Sequence, residues 1–264
     1  MPMDYKDVLY EVRDGAAIIT INRPEVRNAF RTLTVDELID AFGRAWDDKT
    51  VGVVILTGAG DKAFCSGGDQ RERREEGYGG GARGMRTEDL HTIIRDIPKP
   101  VIAAVNGFAI GGGHVLHVVC DITIASTTAR FGQTGPRVGS VDPGYGTAYL
   151  ARIVGEKKAR EIWYFCRQYT AEEAERMGLV NAVVPPDQLM ETAMAWAREL
   201  LDKSPTALKL AKYSFNADTA QIGGLGRMAF AAVDLYYQTP EALEGRNAFV
   251  EKRPVNFRQF RGQR

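Results

Sequence analysis

The chain has 264 residues, of which 44% are hydrophobic, and its 34 basic and 34 acidic side chains give a formal net charge of zero. This composition is typical of a globular protein, and the lack of a positive excess argues against nucleic acids and anionic membrane surfaces as partners. No apolar run approaches the roughly 18 residues that a membrane-spanning helix needs. The charged N-terminal segment has no apolar signal core, and the three cysteines are widely spaced. We therefore expect a cytoplasmic location, with neither a disulfide framework nor a zinc site.

The first half of the sequence alternates between predicted strands and helices. Asp7–Arg13 and Ala16–Asn22 predict two strands joined by a tight turn. Thr34 and Glu37 have the spacing of a capping box, which predicts that a helix begins at Thr34 and runs to about Trp46. A second helix is predicted over Thr87–Asp96. Apolar runs predict strands that are buried on both faces at Val51–Thr57, Val101–Val105 and Ile122–Ala125. This alternation predicts an α/β core.

The second half of the sequence has an almost entirely helical pattern. Helices are predicted at Tyr145–Ile153, Lys157–Gln168, Ala171–Met177, Asp187–Asp202, Thr206–Phe215, Leu225–Tyr237 and Pro240–Lys252, with one strand at Leu179–Val184. We therefore divide the chain into an α/β core over residues 1–200 and a helical C-terminal segment over residues 201–264. Between these patterned regions, Arg71–Arg86 is polar, charged and rich in glycine, which predicts a mobile surface loop.

Two glycine clusters directly follow predicted strands, AFCSGGDQ at Ala63–Gln70 and GFAIGGG at Gly107–Gly113. Gly68 and Gly112 could each direct a backbone N–H group to a common point, where two such donors would stabilise an oxyanion. Glycine suits these positions because a side chain would keep a bulky ligand away from the backbone. A helix predicted to begin near Gly113 would add its positive dipole end. Taken singly, each cluster is equally compatible with an ordinary tight turn.

At their spacing, the two clusters together resemble the motifs of the crotonase (enoyl-CoA hydratase/isomerase) superfamily. The resemblance extends from INRPEVRNAF at Ile21–Phe30 to NAFVEKRPVNF near the C-terminus. It implies a ClpP-like spiral of ββα turns and a helical trimerisation segment, assembled as a trimer or as a dimer of trimers (a hexamer). It also implies a coenzyme A thioester as substrate, with no redox cofactor and no metal. Hydratases of the family carry two carboxylates at the positions of Val115 and Gly135, so we do not expect simple hydratase activity.

Residues Phe131–Tyr169 resemble a narrower subgroup, which contains 2-ketocyclohexanecarboxyl-CoA hydrolase and 1,4-dihydroxy-2-naphthoyl-CoA synthase. The match implies that Ser140, Asp142 and Tyr237 act with the two oxyanion glycines, Asp142 by moving protons and Tyr237 by polarising a carbonyl group. Without the resemblance, Asp142 would be interpreted as a turn residue and Tyr237 as a core aromatic. The match also implies substrate- or CoA-binding positions at Arg71, Arg73, Gln133, Thr134, Tyr145 and Trp163. In the synthase group, members that lack a carboxylate at the Gly135 position bind bicarbonate as a substitute base, which Gln133 and Thr134 could hold.

The sequence supports two activities within this subgroup. Gln133–Gly139 and Gly113–Asp121 resemble the synthase, whereas Ser140–Ala148, Met85–His91 and Ser214–Ala220 resemble the hydrolase. We therefore expect ring-opening hydrolysis of a cyclic 2-oxo-carboxyl-CoA thioester, such as 2-ketocyclohexanecarboxyl-CoA, to pimeloyl-CoA. The alternative is the naphthoate synthase reaction, in which o-succinylbenzoyl-CoA undergoes ring closure and loses water. A non-catalytic homologue that binds RNA or acts as a scaffold is disfavoured by the zero net charge and by the retained catalytic set.

Three further residues carry weaker indications. His114 and His117 lie three positions apart on a predicted apolar helix, but no HExxH frame accompanies them, so we expect a core or pocket-lining position rather than a metal site. Cys65 lies inside the first glycine cluster without an evident neighbouring base. We therefore do not expect it to act as a nucleophile.

Overall fold

The structure, a computed structural model, describes residues 4–74, 77–78 and 84–262. Residues 75–76 and 79–83 of the predicted surface loop lie outside the described residues. The strands are β1 Val8–Arg13, β2 Ala16–Ile21, β3 Val53–Gly58, β4 Ala63–Cys65, β5 Arg73–Arg74, β6 Gly77–Tyr78, β7 Val101–Val105, β8 Phe108–Ile110, β9 Ile122–Ser126, β10 Arg130–Gly132, β11 Tyr169–Thr170 and β12 Ala182–Val184.

The helices divide between the two halves of the chain. Those of the first half are α1 Thr32–Asp47, α2 Thr87–Asp96, α3 Gly112–Val119 and the short α4 Gly135–Val138. A π-helix at Tyr145–Tyr149 leads into α5 Leu150–Val154, α6 Glu156–Phe165, α7 Ala171–Arg176, α8 Leu189–Leu201, α9 Pro205–Asp218, α10 Ala220–Tyr237 and α11 Pro240–Val250. Among the described helices, none is both long enough and apolar enough to cross a membrane.

Two sheets organise the core. The larger sheet has the strand order β1-β2-β3-β7-β9-β12, and the smaller has the order β11-β10-β8-β4. Pairing is parallel except at β1–β2 and β10–β11, which are antiparallel. The chain repeatedly enters the larger sheet, then the smaller sheet, then a helix: β3–β4–α2, β7–β8–α3 and β9–β10–α4. This succession is the predicted ββα repeat, and it confirms the α/β fold class.

Apolar side chains fill both sides of the larger sheet. One buried cluster lies between this sheet and helices α1 to α3, and it includes Phe42, Leu56 and Phe131. A second cluster packs the opposite face, with Ile55 and Ile102, against α8. Strands β3 and β7 therefore have no solvent-exposed face, which is why their sequences are continuous apolar runs.

The predicted capping box is wrong by one helical turn. Helix α1 begins at Thr32 after Arg31, so Thr34 is the third residue of the helix rather than its cap. Its hydroxyl donates to the Asp7 carboxylate at 2.6 Å. The Glu37 carboxylate accepts the backbone N–H groups of Lys6 and Asp7 at 2.9 and 2.8 Å. Thr34 and Glu37 thus bind the residues just before β1. These contacts explain both side chains without the capping box predicted from their spacing.

Helix α9 attaches the C-terminal segment to the core through a buried cation. The Lys212 ammonium lies 2.7 Å from the Asp121 carboxylate and donates to the carbonyls of Ile94 and Lys99. One turn further on, Asn216 donates to the carbonyl of Arg95 at 2.6 Å. Beyond α9, the helices α10 and α11 pack against the π-helix and α4. The division of the chain at residue 200 stays a prediction.

Candidate active site

One cavity of about 660 Å³ collects most of the residues singled out from the sequence. Its lining includes Gly68, Arg71, Gly112, Gln133, Thr134, Ser140, Asp142, Trp163 and Tyr237. These residues follow the ends of β4, β8 and β10 or come from the segment before the π-helix, from α6 and from α10. The fold therefore brings together positions that are far apart along the chain.

The two predicted oxyanion glycines, Gly68 and Gly112, lie on touching loops. A short bridge beside Gly68 is made by the Phe30 N–H donating to Gly67 O at 2.9 Å and the Asp69 N–H donating to Phe30 O at 2.8 Å. This pattern leaves the Gly68 N–H out of the ladder. Gly112 is the first residue of α3, where an N–H group has no acceptor within the helix. Both amides are thus available to a ligand in the cavity.

Glycine is required at the second loop by close backbone packing. A Cβ atom on Gly113 would lie 1.9 Å from Cys65 O, and one on Gly112 would lie 2.6 Å from the Phe30 ring. Both distances are far shorter than any real contact. The two loops consequently approach each other more closely than side chains would permit, which sets the separation of the two N–H donors.

The Asp142 carboxyl group lies in the cavity beside the start of the π-helix. The Gly146 N–H donates to its Oδ1 at 3.2 Å, and Trp163 Nε1 donates to the Gly146 carbonyl at 2.5 Å. Trp163 therefore fixes the turn that holds the carboxyl group. Burial raises the pKa of Asp142 from 3.8 to about 7, which the Gly146 hydrogen bond only partly opposes. A carboxyl with this pKa can take up or release a proton near neutral pH.

Ser140 and Tyr237 form a hydroxyl pair in the same cavity. Their oxygen atoms lie 2.8 Å apart. Burial raises the pKa of Tyr237, against the opposing effects of the Ser140 hydrogen bond and the Arg73 guanidinium. The phenol therefore stays protonated at neutral pH and can donate a hydrogen bond to a carbonyl oxygen.

Arg73 is placed behind the cavity rather than in its lining. Its guanidinium lies 4.5 Å from the centre of the Tyr237 ring and donates to the carbonyls of Ala242 at 2.7 Å and Val138 at 3.4 Å. The side chain is fully buried. In this position Arg73 supports Tyr237 and is not available to bind a CoA phosphate group directly.

Tyr78 is a cavity residue that the sequence analysis missed. Gln70 Nε2 donates to its hydroxyl at 2.9 Å. The hydroxyl packs against Gly68, because a Cβ on that glycine would lie 2.3 Å from it. The prediction of a mobile surface loop therefore fails for Arg73 and Tyr78, which the C-terminal helices cover. Tyr78 is the one aromatic residue within Arg71–Arg86, and this was the available sign in the sequence that part of the segment packs against the protein.

Among the predicted binding residues, Arg71, Gln133, Thr134 and Trp163 line the cavity, whereas Tyr145 does not. Its ring is buried in the core, 5.9 Å from the His91 ring and 5.4 Å from the Arg95 guanidinium. The π-helix turns the side chain toward α2 and away from the neighbouring Asp142.

The described residues contain no group of three or more His, Cys, Asp or Glu side chains placed to hold a metal ion. His114 and His117 are both buried, as expected for core or pocket-lining histidines. Burial also raises the pKa of the Cys65 thiol to about 12, so this side chain is not a thiolate nucleophile at neutral pH.

Comparison with known proteins agrees with this geometry. The model of the enoyl-CoA hydratase/isomerase family matches residues 11–261, nearly the whole chain. The protein belongs to the crotonase superfamily. Members of this superfamily are similar throughout: an enoyl-CoA hydratase from Mycobacterium avium subsp. paratuberculosis superimposes with a TM-score of 0.85 at 28% identity, covering 96% of this chain and 98% of that one.

Two other solved structures of the family are similar at lower TM-scores and somewhat higher sequence identity. An enoyl-CoA hydratase from Bacillus anthracis has a TM-score of 0.73 and 32% identity, over 96% of this chain and 99% of its own. A monofunctional enoyl-CoA isomerase from M. smegmatis has a TM-score of 0.70 and 34% identity, over 81% of this chain and 94% of its own. The chain is thus an enzyme of the hydratase/isomerase type that acts on CoA thioesters.

Proposed function

We propose that the protein hydrolyses a cyclic 2-oxo-carboxyl-CoA thioester, opening the ring to a dicarboxylic acid mono-CoA thioester. The observation that carries this proposal is the Asp142 carboxyl, whose pKa is raised to about 7 in the same cavity as the Ser140–Tyr237 pair. With 2-ketocyclohexanecarboxyl-CoA as substrate, the product is pimeloyl-CoA.

The proposed reaction gives each of these groups a role. Ionised Asp142 takes a proton from water as the water oxygen adds to the ring ketone, while Tyr237, which accepts a hydrogen bond from Ser140, donates one to the ketone oxygen. The bond between the former ketone carbon and the carbon next to the thioester then breaks. Its electron pair forms the thioester enolate, which the Gly68 and Gly112 amides stabilise, each by about 3 kcal/mol. Protonation of that carbon, with Asp142 returning its proton, completes the addition of one water molecule.

Steric constraints support the exclusion of simple hydratase chemistry. Val115 is fully buried in the core and presents no carboxylate. At the second position, a Cβ on Gly135 would lie 2.4 Å from Ser140 O and 3.0 Å from the Trp163 ring. A glutamate therefore does not fit at Gly135 without displacing the chain beside Asp142.

Charge distribution favours the hydrolase over the synthase. The cations among the described lining residues, Arg27, Arg71, Arg137 and Lys252, are all solvent-exposed, which suits the phosphate groups of CoA. Its described apolar lining includes Met85 and Phe230, and none of the buried lining residues described is cationic. A neutral ring ketone fits this interior better than the free benzoate carboxylate of o-succinylbenzoyl-CoA, whose burial without a partner is costly.

Chromatography with mass spectrometry tests the proposal on 2-ketocyclohexanecarboxyl-CoA, o-succinylbenzoyl-CoA and crotonyl-CoA in parallel. We expect only the first to gain the mass of one water and yield pimeloyl-CoA. Asp142→Asn should abolish this conversion, whereas Asp218→Asn, a matched change at an exposed carboxylate outside the cavity, should not. Loss of water from o-succinylbenzoyl-CoA alone would instead establish the synthase, and hydration of crotonyl-CoA alone would establish a hydratase.

We further propose that the protein is a cytoplasmic homo-oligomer, a trimer or a dimer of trimers. Apolar side chains on the C-terminal helices support assembly because they are more than half exposed in the single chain: Leu210, Phe215, Met228, Leu235 and Phe249. Analytical ultracentrifugation tests the assembly, and a sedimenting monomer would contradict it.

A further inference from the structure

Two neutral histidines lie directly behind the cavity wall. His114 and His117 occupy one face of α3 and are each 1% exposed. Burial lowers the pKa of His114 to about 3, and that of His117 is also far below its usual value, so both rings are uncharged. A neutral imidazole carries one N–H donor and one bare acceptor nitrogen. The tautomer of each ring therefore decides whether a neighbouring side chain must donate or accept a hydrogen bond at a given ring nitrogen.

The histidines connect a cavity residue to the core. His114 Nδ1 lies 3.3 Å from the amide nitrogen of Gln133, which lines the cavity. The two imidazole rings are edge-to-face, with centroids 4.8 Å apart. At the other end, His117 Nδ1 lies 3.2 Å from the Thr123 hydroxyl, which also reaches the His117 carbonyl at 3.4 Å.

Hydrogen-bond accounting assigns the tautomer at each end of this chain of groups separately. If the Thr123 hydroxyl donates to the His117 carbonyl and accepts from His117 Nδ1–H, two hydrogen bonds form, whereas donation to a bare His117 Nδ1 makes only one. The additional buried hydrogen bond is worth about 1 kcal/mol. At the other end, the Gln133 amide nitrogen faces His114 Nδ1, so it donates to a bare Nδ1 and the His114 proton lies on Nε2.

The Nε2 atoms of both rings have no partner among the described residues. In this assignment His114 Nε2 carries a proton and His117 Nε2 is bare.

We propose that His114, protonated on Nε2, is a positioning residue that turns the Gln133 amide so that its oxygen faces the cavity and binds the attacking water. The assignment of a bound water depends on the proposed hydrolysis, whereas the orientation of the Gln133 amide does not. Gln133 then offers an acceptor and one remaining N–H group, which match the donor and acceptor of a water molecule.

This orientation does not fit the bicarbonate that the resemblance implies. An anion beside Gln133 and Thr134 would meet an amide oxygen, and the cations described in the cavity lining are all exposed. Nearby Asp142 would add a second negative charge whenever it is ionised. We therefore assign the position to water rather than to bicarbonate.

Nitrogen-15 NMR of the labelled wild-type protein tests the tautomer without any substrate. We expect the His114 proton on Nε2 and the His117 proton on Nδ1, each identified by its one-bond coupling to nitrogen. A proton on His114 Nδ1 would overturn the proposal. Titration with ¹³C-bicarbonate should show no saturable binding, and saturable binding abolished by Gln133→Leu would equally overturn it. Both results are independent of which thioester the enzyme converts.

Kinetics of variants test the positioning. In bicarbonate-free buffer, His114→Leu should lower kcat about tenfold, with KM changed less than about threefold, because one orienting hydrogen bond is lost. His114→Asn, whose side-chain oxygen can accept from Gln133, should restore most of the rate. His91→Leu is a matched control, since His91 is equally buried and neither of its ring nitrogens has a described partner. Equal losses in His114→Leu and His91→Leu, without recovery in His114→Asn, would refute the role.

Discussion

Replacing Asp142 with Asn should make the protein more stable at neutral pH while removing its activity. The pKa rise from 3.8 to about 7 corresponds to an upper limit of about 4 kcal/mol for ionising the buried carboxyl, at about 1.36 kcal/mol per unit. Because Asp142 lines the cavity and is only partly buried, we halve this to about 2 kcal/mol. An amide has the same shape and carries no such cost.

The change in relative stability with pH follows from the upward shift of the Asp142 pKa. As pH rises from 3.8 to about 7, the unfolded chain loses the Asp142 proton while the folded chain keeps it, so wild type progressively loses stability relative to Asp142→Asn. Between pH 5 and pH 8 the gain of the variant should grow by about 1 kcal/mol, or about 3 °C in Tm. Differential scanning calorimetry of both proteins, with Asp218→Asn as control, measures this gain. A difference in Tm that stays constant from pH 5 to pH 8 would show that the Asp142 pKa is not raised.

Three other outcomes are expected. The kcat/KM of wild type should rise with pH and level off above about 7, since ionised Asp142 is the proposed base. A stopped-flow profile that is already flat from pH 5.5 would exclude Asp142 as the base. Tyr237→Phe should lower kcat about 100-fold, whereas Tyr236→Phe, its neighbour outside the cavity lining, should stay within about twofold in the same assay. Gly113→Ala should lower Tm strongly because its Cβ would meet Cys65 O at 1.9 Å. Gly224→Ala, at an open position on α10, should raise the free energy of unfolding by about 0.5–1 kcal/mol. Equal changes of Tm in the two variants, measured by calorimetry, would contradict the close packing of Gly113 against Cys65.

Long apolar strands were predictable from the sequence, and short ones were not. Val101–Val105 and Thr87–Asp96 have the predicted bounds, because burial on both faces and a regular helical pattern are visible locally. Strands β8 and β10 have three residues each, and they exist because the smaller sheet brings them together. No local pattern of three residues distinguishes such strands from a loop.

The site was predictable in so far as its residues belong to motifs. The glycine loops and Asp142 were identified by resemblance, and the structure places them in one cavity. Burial of Arg73 and Tyr78 could not be predicted, since a polar, glycine-rich segment ordinarily faces solvent. The helices that cover them lie more than 140 positions later in the chain. Likewise, the sequence around Tyr145 predicts a binding residue, but the π-helix directs the Tyr145 side chain away from the cavity.

The Arg73 guanidinium joins parts of the chain that are synthesised at very different times. It donates to the carbonyl of Val138, 65 positions later, and to that of Ala242, 169 positions later. Synthesis on the ribosome delivers Gly68 and Gly112 long before Tyr237. In the proposed mechanism the nascent chain therefore lacks its phenol until α10 has been made, and a chain cut short before residue 237 would not catalyse ring opening.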